Sequence, residues 1–169
     1  MDSIQIAVRL KTPDPEAVTV MNAFRSMGLQ LPPLKLQRHT LWQFQVMEGG
    51  KDTVSAIAGH FTDIVNPNKH IWCFAETGSA LDGEDADLQW TGIVVRDHQN
   101  SESNNWTELL NRRGFPVKSV RLGALWRFGY LTDSDEALIQ KMAMDLSVSR
   151  TRTGGLLSNP VSQEVSIWI

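Results

Sequence analysis

At 169 residues the chain has room for one ordinary domain or two small ones, and a half of about eighty residues standing alone would bury a low fraction of its surface. Apolar residues make up 41% and charged residues 21%, without an apolar run long enough to span a bilayer. A net charge of −3 and a pI near 5.8 argue against nucleic acid or an anionic membrane as the main partner, and the single Cys73 excludes an internal disulfide and a multi-cysteine metal site. The opening MDSIQIAVRLK starts with an acid and lacks the basic and then apolar layout of a leader, so a cytoplasmic location is expected.

Ile4, Ile6, Val8 and Leu10 alternate with Gln5, Ala7, Arg9 and Lys11, which predicts a half-buried strand. Pro13-Asp14-Pro15-Glu16 breaks it and opens a helix whose apolar positions are Val20, Phe24 and Met27, closed by Gly28. After Pro32-Pro33 a second strand carries Leu34 and Leu36, Gln37 to Thr40 form a hairpin turn, and Trp42, Phe44 and Val46 line one face of a third strand. Gly49-Gly50 breaks again before a helical stripe of Val54, Ile57, Ala58, Phe61 and Ile64, and His70 to Phe74 make a closing strand. ETGSALDGEDAD is acidic and poor in large apolar residues, as a linker is. Beyond it the pattern predicts a strand near Trp90–Val95 and a helix around Asn105–Arg113. Strands at Val117–Leu122 and Leu125–Leu131, a helix near Asp135–Leu146 and a strand at Glu164–Trp168 complete the chain.

The second series repeats the first. Gly28 matches Gly114 at a separation of 86, as do Leu34 and Leu36 with Val120 and Leu122; Leu41-Trp42-Gln43-Phe44 matches Leu125-Trp126-Arg127-Phe128 at 84. Val54, Ile57 and Phe61 fall opposite Ile139, Met142 and Leu146 at 85, and Asn66-Pro67 opposite Asn159-Pro160 at 93. The fold class expected is therefore α+β: two ferredoxin-like βαββαβ repeats forming a pseudo-dimer, with antiparallel sheets and helices on one face. Residues 1–76 form the first repeat, 77–87 the acidic linker and 88–169 the second repeat, with an insertion within SVSRTRTGG. The helix-free face, with Gln5, Arg9, Lys11, Lys35, Gln37, Gln43 and Gln45 in one copy and Ser119, Arg121 and Arg127 in the other, is too polar for a dry sandwich. The copies are expected to meet along strand edges.

No catalytic residue, cofactor or metal is assigned. His39, His60, His70 and His98 lack ligand spacing, Cys73 alternates with Trp72 and Phe74 on a strand, and no GxSxG, Walker loop or GxGxxG occurs. Trp42/Phe44 and Trp126/Phe128 invite comparison with the stacking aromatics of an RNA-recognition sheet, but they share a face with Val46 and the basic signature is missing. Arg150-Thr151-Arg152-Thr153-Gly154-Gly155 offers two guanidinium groups to a phosphate or a partner's carboxylates, with a solvated surface loop as the plain alternative. Asn66 and Asn159, each before a proline, suit the closing of a helix or turn. Asn66, Arg150, Arg152 and Asn159 are the candidate partner contacts.

With the repeat laid out, the chain resembles the PurS family, the small subunit of phosphoribosylformylglycinamidine synthase. Leu156, Leu157, Asn159, Pro160, Val161 and Glu164 match its closing Leu-Leu-x-Asn-Pro-Val run and the acid before the last strand. IQIAVRLKTPDPEAVTVMNAFRSMG is similar to its opening, with Asp14-Pro15 starting the helix, and Val117, Val120, Arg121 and Gly123 match its middle Val-x-x-Val-Arg-x-Gly run. Copy two has DHQNSESNN in place of the Asp-Pro helix start, and copy one has IVNPN in place of the closing run. The resemblance implies a non-catalytic, tandem bridging subunit between the large synthetase subunit and the glutaminase subunit. That complex uses ATP and glutamine to convert formylglycinamide ribonucleotide to the amidine in purine synthesis, and further homo-oligomerisation is open. The alternatives are a ferredoxin-like regulatory module that binds small molecules where the copies meet, and an enzyme using the cleft between them.

Overall fold

The computed structural model describes residues 1–99, 101–148, 157–158 and 162–168. The alternating run at the N-terminus forms β1 (Asp2–Leu10), followed by α1 (Pro15–Ser26). Asp14 caps α1, accepting from the Glu16 N–H at 2.9 Å, and Pro15 sits in the first turn where a missing N–H leaves nothing unpaired. Next come β2 (Lys35–Val46), α2 (Gly50–His60), β3 (His70–Phe74) and β4 (Leu88–Asp97). The chain ends with α3 (Ser101–Arg112), β5 (Val117–Leu131), α4 (Glu136–Ser147) and β6 (Gln163–Ile167). Asp135 caps α4 through the Leu138 N–H at 3.0 Å. Among the described residues this is an α+β fold with one six-stranded antiparallel sheet in the order β3-β1-β2-β5-β4-β6 and four helices on one of its faces. None of these helices is long and apolar enough to cross a membrane.

The two expected hairpin turns do not form. Lys35–Val46 and Val117–Leu131 each run unbroken, and they pair with each other from Lys35↔Gly129 to Val46↔Val117. No glycine or proline interrupts Gln37 to Thr40, and its side chains alternate cleanly onto two faces. Such a stretch extends when a partner strand lies along its whole length, because ladder hydrogen bonds replace those of a turn. The halves meet edge to edge along these long strands, so neither buries a sheet face against the other's.

The registers of the two halves correspond. Ile6 faces Trp42 as Ile93 faces Trp126, and Leu36 faces Phe128 as Val120 faces Phe44. One separation of 84 therefore relates the long strands throughout, and Leu36 corresponds to Val120 rather than, as expected, to Leu122. The separation is 87 between β1 and β4. On the outer strands Ala7 faces Cys73 as Val94 faces Ser166, a separation of 93, the same that relates Asn66 to Asn159.

Packing under the helices crosses between halves. Ala17, Val20, Met21 and Phe24 of α1 join Ile93, Trp126, Phe128, Tyr130 and the buried stripe of α4 in one core. Leu110 and Trp106 of α3 join Ile6, Trp42, Phe44 and α2 in the other. Phe24 and Phe128 lie 6.1 Å apart, and Trp106 meets Trp42 edge-on at 5.3 Å. The straightened strands explain this exchange: the start of β2 lies on the end of β5, so α1, which leads into it, covers the far half of the sheet.

Candidate functional site

Of the four candidate partner contacts, only Asn66 lies within the described residues; Arg150, Arg152 and Asn159 fall outside them, as does the Gly154-Gly155 pair. Asn66 builds the turn into β3. Its carbonyl accepts from the Lys69 and His70 N–H groups, its side-chain oxygen accepts from the Asn68 N–H at 3.0 Å, and its own N–H donates to His70 Nδ1 at 3.0 Å. Those bonds give it the turn-building task that its place before a proline suggests.

The dense polar cluster lies instead on the helix-free face, beneath the segment expected to be only a linker. Residues 75–87 form a strap across that face. Ala75 N–H donates to the Gln5 carbonyl at 2.9 Å, and Lys51 pairs with Glu76 at 2.9 Å. Leu81 is buried among Ala7, Leu41, Val94, Leu125 and Trp168. At the far end Lys35 binds Asp85 at 2.9 Å, holding its carboxyl below the usual range, and Trp90 Nε1 donates to the Asp85 carbonyl.

Between these anchors the strap drives a charge into the protein. Arg127 Nε donates to Glu84 Oε1 at 2.6 Å and Nη2 to Oε2 at 3.1 Å, with the two side chains only 6% and 2% exposed. The planar fork matches the carboxylate, and the Trp168 ring lies 5.0 Å from the guanidinium carbon. Trp168 is itself fixed by donating its N–H to the Gly92 carbonyl at 2.8 Å and its Nε1–H to Gln5 Oε1 at 3.3 Å. That last contact joins β1 to the residue that follows β6, four strands away in the sheet. Gly83 precedes the glutamate at a φ of +84°, a left-handed conformation that residues with side chains rarely adopt, and it lies against the Arg9 guanidinium.

His39 sits beside this pair, mid-strand and 2% exposed. Burial pushes its pKa down to about 4, with the positive charges of Arg9 and Arg127 acting in the same direction against a hydrogen bond at the Leu125 backbone. The imidazole is therefore neutral at pH 7. Cys73, half-buried at the edge of the Leu81 cluster, has its thiol pKa raised by burial and is no ready nucleophile. Chemically the cluster is a clamp: its carboxylate and guanidinium are spent on each other.

The rest of this face lies beyond the strap. By the separations of 87 and 84, Arg96 is the counterpart of Arg9, Gln43 of Arg127 and Arg121 of Gln37. Gln43 faces Arg121 across the ladder, and Arg121 Nη2 reaches Glu164 at 3.4 Å with both side chains about half exposed. Among the described residues no group of three or more His, Cys, Asp or Glu side chains could hold a metal ion.

Sequence reasoning placed Arg127 on the helix-free face but expected it in solvent, and it placed His39 in a turn. The available signal was Leu81, the one large apolar residue in an acidic stretch. No protein-family model matches the chain, and no curated protein matches its sequence.

Proposed function

We propose that the chain is a tandem PurS-like assembly subunit, two ferredoxin-like units fused as a covalent pseudo-dimer that bridges the large synthetase and glutaminase subunits of phosphoribosylformylglycinamidine synthase. One observation carries the reading. The separations that align the motifs in sequence, 84 at Leu-Trp-x-Phe and 93 at Asn-Pro, also relate the strand registers of the two halves. In this reading each unit is a four-stranded sheet: β3, β1 and the end of β2 with the start of β5, and β6, β4 and the end of β5 with the start of β2. Each takes a helix and a half-strand from its neighbour, as exchanged protomers do when a hinge turn straightens. Fusion keeps the two at high local concentration. The buried clamp adds rigidity suited to a spacer between two larger proteins.

The test is co-purification of the full chain with both larger subunits in the presence of glutamine and ADP. Stoichiometric co-elution is expected, and failure to associate overturns the reading. A small-molecule regulatory module is the second reading, favoured by a cleft of about 350 Å³ between α1 and the start of β2 that presents Asp14, Arg25 and Lys35 beside Met21 and Leu34. A metabolite that raises Tm in the wild type and not in Arg25→Ala would favour it.

A further inference from the structure

The strap covers one cationic patch, and a second lies on the same face with only Arg9 and Arg96 in corresponding positions. Under the strap, Arg9 and Arg127 receive the Gly83-Glu84 step. Their counterparts across the same face are Arg96 and Gln43, joined by Arg121. Arg96 lies flat over Gly123, where a Cβ would stand 2.9 Å from its Cγ, and Nη2 just reaches Gln43 Oε1 at 3.5 Å. Its Nε is shielded from solvent and has no hydrogen-bond partner among the described residues. Burial lowers its pKa, the neighbouring charge of Arg121 lowers it further, and Glu164 opposes both. Two guanidinium groups thus share one half-exposed carboxylate, whereas Arg127 has a buried one to itself.

We infer that the open patch of Arg96, Arg121 and Gln43 docks an acidic segment of another protein chain through a carboxylate, as Arg127 takes the Glu84 carboxylate of the strap. The occupant supplies a carboxylate, because two arginines here face one half-exposed glutamate and leave excess positive charge at the surface. The inference rests on the strand registers and is independent of which assembly the chain serves.

The probe is a capped peptide of the strap's own sequence, SALDGEDAD, titrated at millimolar concentration into the ¹⁵N-labelled full chain. Saturable shifts are expected at Gln43, Arg96 and Arg121 while His39 and Arg127 stay in place. Charge reversal by Arg121→Glu should weaken binding about tenfold or more, with Arg121→Gln as a milder substitute if the reversal unfolds the chain. A peptide with glutamine in place of its single glutamate should fail to bind. Absence of shifts overturns the proposal, as does undiminished binding by a folded Arg121 variant. Shifts at His39 and Arg127 instead would mean displacement of the strap and would also overturn it. So would inorganic tripolyphosphate moving the same resonances when the peptide does not, since the patch would then select phosphate.

Discussion

The two faces of this sheet are buried by different means. Under the helices, matching aromatics are set down twice, Trp42 with Phe44 and Trp126 with Phe128, and each set is completed by the other half's first helix. On the opposite face a single segment without regular structure crosses once, and beneath it the matched positions differ: Arg127 against Gln43, His39 against Gly123. Apolar packing tolerates duplication because it needs only shape and volume. A buried charge needs one particular partner, and one linker supplies one buried glutamate. The helix-covered face is therefore alike in the two halves, and the strap makes the other face unequal.

The sharpest way to break the comparison is to separate the halves. Residues 1–76 alone lack α3 and leave Trp42 without Trp106, so neither 1–76 nor 88–169 should give a cooperative thermal melt alone, while the mixed fragments should. A cooperative melt for either would remove the exchanged packing from the account. Within the full chain, Trp42→Ala and Trp126→Ala should each cost about 3–5 kcal/mol in urea unfolding, and similar losses are the signature of matched cores. Arg127→Ala should also cost about 3–5 kcal/mol, because it leaves Glu84 charged and buried. Arg127→Met combined with Glu84→Met should recover most of that, and a double-mutant cycle measures the coupling.

His39 gives a pH test of the strap face. Its folded pKa of about 4 lies below the unfolded value of 6.5, so the unfolded chain binds more protons between those limits. The stability from neutral burial is complete above about pH 6.5 and falls by about 3 kcal/mol as pH drops to 4. His39→Leu should remove that component, seen as a shallower loss of urea midpoint than in the wild type. A parallel pair of pH profiles would show that the histidine is not buried under the strap. The smallest effect belongs to Lys51→Ala: its pair with Glu76 is exposed at the strap's entry, and Tm should stay within measurement error.

Most elements were legible because their signals are local. Asp14-Pro15 and Asp135 mark helix starts, His70 to Phe74 alternate as a strand, and the spacing of Val54, Ile57 and Ala58 gives a helix face. The hairpins were misread for a physical reason: Gln37 to Thr40 has no turn residue, and a polar run alone does not bend a chain. Whether it extends depends on a strand more than eighty positions away. The strap was misread for a related one. Glu84 and Arg127 are 43 residues apart, and no periodicity connects them.

The order of residues by itself determined most helix and strand types and the aromatic positions, since these follow from patterns within one turn or one pleat. Tertiary structure alone decided that two expected turns would straighten into the centre of one sheet, that α1 and α3 would pack under the opposite half, and that an acidic linker would carry a buried ion pair. Those outcomes depend on long-range partners, whose burial and hydrogen bonding outweigh local preference.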